Sequence, residues 1–388
     1  MSENQYFLLP GPTQIPPSIL RAGAQPMINH RGPEFKQILT NVTENTKKIF
    51  ETQNDLLVIT SSGTGGLEAA VANFINRGDK IIVASIGNFG NRFADIAKQY
   101  GADVDLIEFP WGSPVNPQII KDRLAADKNQ EIKAILMQHN ETSTGVYNPV
   151  KEVSIVRGNH PALLIVDSVS GMATAPLKTD EWGLDVVIAG SQKAFMAPPG
   201  LAFISVSKKA WEVQAKNTNV KYYFDLATAK EYYHKGQTPY TPAISIFYSV
   251  DAALKMMLDK GLDNIIEDHF FHRDIIRAGV KALGLSCVAD DNCASPAVTA
   301  IYTPEGITSE QIVKPLLDKY HTVVAGGQGI FKDNTFRIGH LGYVNDLDLL
   351  SCLAAVEMTL LELGYQIELG KGVAAGQKLI MQKYQASK

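Results

Sequence analysis

The 388-residue sequence contains only three cysteines, Cys287, Cys293 and Cys352, and this number limits its covalent and redox chemistry. Three thiols cannot form a paired disulfide framework, and an odd count suits a reducing compartment. An iron–sulfur cluster usually takes four thiolates, so the chain cannot ligate one alone with cysteines. A disulfide-stabilised scaffold and a self-contained iron–sulfur protein are therefore both disfavoured.

Clustered charge and long apolar runs are also missing. The net charge is −4, from 36 Lys and Arg against 40 Asp and Glu, with no block of like charge. A nucleic-acid or anionic-membrane binder needs a clustered basic field. No apolar run approaches the roughly 20 residues that cross a bilayer, and residues 1–12 lack the pattern of a secretory signal. We expect a cytoplasmic protein with neither a nucleic-acid nor a membrane partner. The eight histidines show no metal-ligand spacing, so we expect no metal site.

What the sequence does contain is an alternation of apolar strands and helices. Seven short, almost continuously apolar runs predict strands that are covered on both faces, at 56–60, 80–84, 104–109, 132–138, 162–167, 185–189 and 201–206. Helical patterns at 67–76 and 91–99 lie between some of these strands. The alternation predicts an α/β fold with a largely parallel sheet in a three-layer sandwich.

The length suits more than one domain, since a domain usually takes about 100–200 residues. A long helical stretch is predicted at 243–258, and a smaller α/β unit follows, with strands near 297–303 and 335–339 and an amphipathic helix at 349–363. We therefore predict an N-terminal arm over 1–20, a large domain over 21–260 and a small C-terminal domain over 261–388.

Three groups of residues follow predicted strands, at the sheet edge where open parallel sheets bind ligands. The Gly/Ser-rich turn 61–66 leads into a helix, so it is either a phosphate cradle or an ordinary strand-to-helix turn. Asp167 ends an apolar strand and either caps the next segment or holds a cationic nitrogen. Lys193 follows another strand; lysines mostly lie on solvated faces, but a desolvated lysine can form a Schiff base. A phosphate cradle, a carboxylate and a lysine together suit pyridoxal 5′-phosphate as cofactor.

The stretch 184–204, LDVVIAGSQKAFMAPPGLAFI, resembles the pyridoxal-phosphate attachment signature of class V aminotransferases. SGTGGLEAA at 62–70, HNETSTG at 139–145 and VDSVSG at 166–171 resemble further segments of that class, and the likeness runs from 8–13 to 336–339. Within the class the chain is most similar to alanine–glyoxylate and serine–pyruvate or serine–glyoxylate aminotransferases. The resemblance implies the fold-type I architecture, with a seven-stranded, mainly parallel sheet in the cofactor-binding large domain, and a homodimer.

The resemblance also implies roles for individual residues. Lys193 is expected to carry the cofactor covalently and to move the Cα proton, and Asp167 to pair with the ring nitrogen. Arg337 is expected to receive the substrate carboxylate as a bidentate fork. Further cofactor contacts are expected from Ser62, Gly63, Thr64, Phe89, Thr142, Val169 and Gln192.

Two other segments resemble parts that line the site in relatives. Tyr240 and Thr241 resemble the segment that family dimers send into the phosphate site of the neighbouring subunit. Whether Thr238 or Thr241 makes that contact stays open. His30 and Arg31 lie in a stretch that lines the entrance in relatives, and they are weaker candidates.

The function that the resemblance implies is transamination of a small amino acid, with alanine–glyoxylate transfer first and serine–glyoxylate or serine–pyruvate transfer as the alternative. No basic residue besides Arg337 is evident for a second substrate carboxylate, which favours small substrates. A cysteine desulfurase needs a nucleophilic cysteine on a mobile loop, and none of the three cysteines lies in a recognised motif of that kind. The G-x-G-x-x-G motif of a nucleotide-dependent oxidoreductase is incomplete in this sequence, because Glu68 occupies the position of the third glycine. A non-enzymatic scaffold is the remaining alternative.

Overall fold

The computed structural model describes residues 5–386, and its elements follow the predicted alternation of strands and helices. The strands are β1 (Tyr6–Phe7), β2 (Asp55–Thr60), β3 (Lys80–Ser85), β4 (Asp103–Glu108), β5 (Ile132–Gln138), β6 (Asn140–Glu141), β7 (Val146–Tyr147), β8 (Leu163–Asp167), β9 (Val186–Gly190), β10 (Leu201–Val206), β11 (Val298–Tyr302), β12 (Thr322–Val323), β13 (Ala325–Gly326) and β14 (Thr335–Gly339). The α-helices are α1 (Pro17–Gly23), α2 (Pro33–Phe50), α3 (Gly63–Phe74), α4 (Asn88–Gln99), α5 (Pro117–Ala126), α6 (Val150–Arg157), α7 (Lys208–Gln214), α8 (Leu226–His234), α9 (Ile244–Lys260), α10 (Leu262–Ala282), α11 (Ser309–Tyr320), α12 (Asp346–Glu362) and α13 (Lys371–Ala386).

The central sheet has seven strands in the order β2-β10-β9-β8-β5-β3-β4, which confirms the predicted α/β class and the seven apolar strands. The pairs from β9 to β4 are parallel, whereas β10 is antiparallel to both of its neighbours. A parallel connection needs a crossover of about a dozen residues or more, usually a helix. The segment 191–200 between β9 and β10 contains no helix, and β10 accordingly runs back beside β9.

Helices cover both faces of this sheet, which confirms the three-layer arrangement. Successive strand residues point to opposite faces. Ile82 and Val187 therefore belong to one buried cluster with α2 and α9, where the rings of Phe35 and Phe247 meet edge to face at 5.2 Å. Ile188 belongs to the other cluster, with α3 and α4. Burial on both faces makes the inner strands almost continuously apolar. The prediction of two covered faces is wrong for the edge strand β4, where Asp103, Asp105 and Glu108 are exposed.

The C-terminal part has its own antiparallel sheet, β11-β14-β13, and a third buried cluster with α11 and α12. The N-terminal arm lies on this part: β1 pairs in parallel with β12, and Leu8 is buried in the third cluster. At the predicted domain boundary α9 ends at Lys260. Ile265 of α10 still packs in a cluster of the central sheet, while Ile276 packs in the C-terminal one. The division at 20 and 260 stays a prediction. No helix in the described range 5–386 combines the length and apolarity needed to span a bilayer.

The arm offers a test of this packing. We expect Leu8→Ala to lower the free energy of unfolding by about 2–5 kcal/mol, because it removes a buried side chain and leaves a cavity. Leu347→Ala, on the exposed face of α12, should change it by less than about 0.5 kcal/mol. Urea unfolding followed by circular dichroism measures both. Equal losses in the two variants would contradict the buried position of Leu8.

Candidate active site

A cavity of about 240 Å³ lies beside the carboxyl ends of β2, β8 and β9. Every cofactor contact that was expected within a single chain lines it: Ser62, Gly63, Thr64, Phe89, Thr142, Asp167, Val169, Gln192 and Lys193. The remaining lining residues are Gly11, Leu67, Arg92, Asn140 and Ser170. The fold thus gathers the predicted residues at the sheet edge where their strands end.

The N-terminus of α3 forms one wall of the cavity. Ser62 is its N-cap, and the Ser62 Oγ accepts a hydrogen bond from the Gly65 N–H at 3.4 Å. The first N–H groups of a helix have no acceptor within the helix, and its dipole is positive at this end. Gly66 lets the helix approach the sheet, since a Cβ there would lie 2.7 Å from Cγ2 of Ile188. This wall is suited to an anion such as phosphate.

Lys193 is held from the N-terminal arm. Its Nζ donates a hydrogen bond to the Pro10 carbonyl at 2.7 Å, and its own carbonyl accepts one from Thr13 Oγ1 at 3.1 Å. Gly11 lies against the amine with φ +125°, and any Cβ at this position would overlap Nζ. Burial lowers the pKa of Lys193 to about 8; the Asp167 carboxylate opposes that shift, and two arginines, Arg337 and Arg92, add to it. The amine is therefore partly neutral near pH 8, as a nucleophile requires.

Asp167 is a buried carboxylate at the end of β8. Its Oδ1 accepts a hydrogen bond from the Val169 N–H at 2.9 Å. Burial raises the pKa of Asp167 to about 7, and this N–H together with the Lys193 and Arg92 charges opposes that shift. A carboxylate in such surroundings is stabilised by a cationic partner, so it is suited to a protonated ring nitrogen.

Arg337 lies on β14 behind Thr142, is 5% exposed, and does not itself line the cavity. Its Nε donates to the Gly326 carbonyl at 2.9 Å, and its Nη1 donates to the Thr142 carbonyl at 3.2 Å and to Gln328 Oε1 at 3.3 Å. Nη2 has no hydrogen-bond partner among the described residues. Burial lowers the pKa of Arg337 to about 10, so the group stays cationic at neutral pH. Arg337 can therefore offer Nη2 to a carboxylate, but not the expected two-nitrogen fork, because Nε and Nη1 are bound to protein acceptors.

Arg92 also lines the cavity, although the sequence did not single it out. The Arg92 guanidinium lies 4.7 Å from the centre of the Phe89 ring, and its Nη1 donates to Thr64 Oγ1 at 3.3 Å. The predicted helix at 91–99 excluded Phe89; the observed α4 begins at Asn88 and so places Phe89 and Arg92, three residues apart, on one helix face.

Asn140 and Ser170 were also missed, although both lie inside motifs that the sequence analysis quoted. Asn140 Nδ2 and Thr142 Oγ1 both donate to Ser170 Oγ, at 2.9 and 2.8 Å. Asn140 Oδ1 is buried without a hydrogen-bond partner. A buried acceptor of this kind is costly unless a ligand or water satisfies it. Asn140 is thus available to a ligand in the cavity.

Tyr240, Thr241 and Thr238 do not line the cavity of their own chain. They belong to a segment held by Arg31, whose Nη1 donates to the Thr238 carbonyl at 2.7 Å. His30 beside it does not line the cavity either. The Tyr240 ring stacks on Tyr223, with ring centres 5.1 Å apart. The expected contact of this segment with the phosphate site of a neighbouring subunit stays a prediction.

The fold and the cavity agree with the sequence comparisons. The family model described as Aminotransferase class-V matches residues 5–333, and the chain belongs to this family of enzymes. Among similar curated proteins, a protein named soluble hydrogenase, small subunit, from Synechococcus sp. is 41% identical, covering 98% of this chain and 99% of that protein. The serine–glyoxylate aminotransferase of Methylorubrum extorquens is 38% identical, covering 95% and 94%.

Solved structures match over almost the whole chain. The ureidoglycine–glyoxylate aminotransferase of Bacillus subtilis superposes with a TM-score of 0.92 at 30% identity, covering 98% of this chain and 99% of that one. The alanine–glyoxylate aminotransferase of Nostoc sp. superposes with a TM-score of 0.89 at 26% identity, covering 93% and 96%. The resemblance of the sequence to class V aminotransferases and the fold-type I architecture that it implies are both confirmed.

The lowered pKa of Lys193 predicts how its amine reacts with pH. Only the neutral amine is nucleophilic, so acylation of Lys193 should speed up with rising pH and level off above about pH 8. The measurement is mass spectrometry of protein that has been freed of bound carbonyl compounds and pulsed with an acylating reagent. The exposed Lys128 in the same digest reports the reagent's own dependence on pH. A rate at Lys193 that still rises beyond pH 10 would contradict this environment.

Proposed function

We propose that this aminotransferase uses pyridoxal 5′-phosphate and transfers the amino group of alanine to glyoxylate. Serine is the alternative donor and pyruvate the alternative acceptor. The observation that carries the proposal is the cavity in which the Lys193 amine, the Asp167 carboxylate and the N-terminus of α3 meet. Names of similar proteins support the reaction type, because several are glyoxylate aminotransferases with different amino donors.

The residues around the cavity fit the proposed cofactor. The N-terminus of α3 suits the phosphate, Asp167 the ring nitrogen and Lys193 the aldehyde. Phe89 and Val169 are available for the two faces of the ring, and Thr142 for its hydroxyl. Gln192 precedes the attachment lysine and lines the same cavity. When bound, the cofactor supplies an electron sink that makes the Cα–H bond of the substrate acidic.

The chain itself supplies binding, orientation and proton transfer. Lys193, partly neutral near pH 8, takes a proton from the substrate Cα and, as its conjugate acid, would donate it to the bound cofactor. Asp167 holds the ring-nitrogen proton through its charge. Arg337 orients the substrate carboxylate with its free Nη2, while Nε and Nη1 stay fixed to protein acceptors.

The proposed substrates are small because of where the cations lie. Arg337 is held at Thr142, whereas Arg92 is bound to Thr64 at the start of α3, where the phosphate is proposed to bind. Arg92 is thus engaged away from a second substrate carboxylate. Alanine and serine differ by one hydroxyl, and an apolar pocket rejects an added hydroxyl only modestly. Activity with alanine and with serine must therefore be compared by measurement.

A homodimer is part of the proposal. Tyr240 and Thr241 lie outside the cavity of their own chain, in a segment whose neighbours Tyr222 and Tyr223 are 80% and 47% exposed. Exposed aromatic residues of this kind are enriched at protein interfaces. We propose that Tyr240 and Thr241 contact the phosphate of the second subunit. We also propose a cytoplasmic location, in keeping with the few, unpaired cysteines.

The cysteine positions disfavour the desulfurase alternative. None of the three cysteines lines the cavity. Cys352 is fully buried, and burial raises its pKa to about 12, so it carries no thiolate at neutral pH. Cys293 is also buried, and the backbone of Cys287 forms an isolated antiparallel β-bridge with that of Ile301. None of the three cysteines is therefore a candidate for the nucleophile that a desulfurase needs over its cofactor.

The reaction is tested with a donor–acceptor matrix of alanine, serine, glutamate and phosphoserine against glyoxylate, pyruvate and 2-oxoglutarate. We expect turnover with alanine or serine and glyoxylate, measured by chromatography of the product amino and oxo acids. Lys193→Ala should abolish the visible absorbance of the attached cofactor and lower turnover by at least about 10²–10⁴-fold, since it removes the proton-transfer group. Lys208→Ala, exposed on α7, is the control. Absence of amino transfer in the whole matrix, or full activity of Lys193→Ala, would refute the proposal.

The role of Arg337 is tested with Arg337→Lys. An ammonium cannot reproduce the planar fork or its fixed contacts to Gly326 and Thr142. We expect kcat/KM for amino and oxo acids to fall by about 10–150-fold, which corresponds to the loss of one charge-assisted hydrogen bond. Arg123→Lys, in a surface ion pair with Asp105, should leave the value unchanged. An unaltered kcat/KM in Arg337→Lys would remove Arg337 from the substrate site.

A further inference from the structure

Helix α4, which carries Phe89 in its first turn, begins without a capping side chain of its own. Its N-cap is Gly87, and its first three N–H groups are bound by two side chains from the β6–β7 hairpin. The Asn88 N–H donates to Ser143 Oγ at 3.0 Å. The N–H groups of Phe89 and Gly90 donate to Glu141 Oε2 at 3.1 and 3.0 Å. A carboxylate is favourable here because it faces the positive end of the helix.

Glu141 is fully buried and has no solvent to stabilise its charge. Its Oε1 accepts from the N–H and the hydroxyl of Ser143 at 3.0 and 2.6 Å, so the carboxylate is surrounded by donors. Gly87 leaves the necessary space, since a Cβ there would lie 2.6 Å from the Glu141 Cγ. A hydrogen-bonded, buried carboxylate of this kind fixes the groups that surround it.

Thr142, between the two capping residues, extends this contact to the substrate side of the cavity. Its carbonyl accepts from Arg337 Nη1 at 3.2 Å, and its hydroxyl donates to Ser170. The negative charge of Glu141 also opposes the effect of burial on the pKa of Arg337. One hairpin therefore contacts both the helix that carries Phe89 and the guanidinium of Arg337.

We propose that Glu141 is a positioning residue, which holds the Phe89 ring at the cavity and the Arg337 guanidinium behind Thr142 in a fixed arrangement. The inference rests on the proposed function, in which Phe89 faces the cofactor and Arg337 the substrate carboxylate. Glu141 itself touches neither. It acts through the backbone of α4 on one side and through Thr142 on the other.

The chain contains a matched control for this role. Glu357 on α12 is 2% exposed and accepts from the N–H groups of Gly370, Gly372 and Val373 at 2.6, 2.7 and 3.0 Å. It thereby binds the N-terminus of α13 from a separate element, as Glu141 does for α4. Neither glutamate lines the cavity, but α4 contributes Phe89 and Arg92 to the lining whereas α13 contributes no residue. Glu→Gln at either position removes a charged cap while keeping the shape of the side chain.

The test compares Glu141→Gln and Glu357→Gln in the full-length protein loaded with pyridoxal phosphate. Both variants should unfold at a lower temperature, because each loses a buried cap. In Glu141→Gln alone we expect cofactor retention on dialysis, followed by visible absorbance, to weaken by about tenfold, and KM to rise by more than kcat falls. Equal retention and KM in the two variants would overturn the inference.

A smaller change guards against loss of folding. Ser143→Ala removes only the cap on the Asn88 N–H and one donor to Glu141, and it should weaken cofactor retention by about threefold. If Glu141→Gln does not fold, unchanged retention in Ser143→Ala overturns the inference. A wild-type protein that binds no pyridoxal phosphate contradicts the proposed function itself, whereas a wild-type protein that binds it beside unaffected variants contradicts only the role of Glu141.

Discussion

The burial of the Lys193 amine determines how the N-terminal arm is placed around it. Lys193 Nζ lies near two arginines and has a single hydrogen-bond acceptor among residues 5–386, the Pro10 carbonyl. Burying an ammonium without partners is costly, so the group loses its proton more readily than an exposed lysine. The N-terminal arm must therefore pass directly beside the lysine. Two glycines leave it room, because a Cβ on Gly11 would overlap the amine and one on Gly339 would overlap the Leu9 carbonyl.

The same arm joins the two parts of the chain that bear charged groups. Leu8 is buried with the C-terminal helices, and its carbonyl accepts from the Gly339 N–H at 2.7 Å. Gly339 ends the strand on which Arg337 lies. A displacement of β14 would consequently be felt at Pro10 and at the lysine amine. This connection ties the proposed carboxylate site to the proposed nucleophile through only a few backbone atoms.

The inner strands of the central sheet could be predicted from the sequence because burial on both faces makes each of them an almost continuous apolar run. The run at 201–206 predicted β10 with its observed bounds, Leu201–Val206, yet its antiparallel direction was not predictable. The hydrophobicity of a strand does not indicate its direction. The direction of β10 follows from the short segment before it, which contains no crossover helix and so cannot connect two parallel strands. Asp167 and Lys193 were found because Asp167 ends one apolar strand and Lys193 lies three residues beyond the end of another. Pro10 acts through its carbonyl oxygen, which any residue possesses, and no side-chain pattern reveals it.

The charges around the cavity explain why two anionic groups suit it. Lys193, Arg92 and Arg337 bring three cations, while Asp167 and Glu141 bring two carboxylates whose pKa values burial raises. Arg92 with the N-terminus of α3 forms one cationic position, and Arg337 forms another. A phosphate at the first and a carboxylate at the second would each meet a preorganised donor in a site of low dielectric. Both anions would also oppose the effect of the arginines on the Lys193 amine. Occupancy of these positions would thus raise its pKa, so the proton affinity of the lysine depends on what the cavity holds.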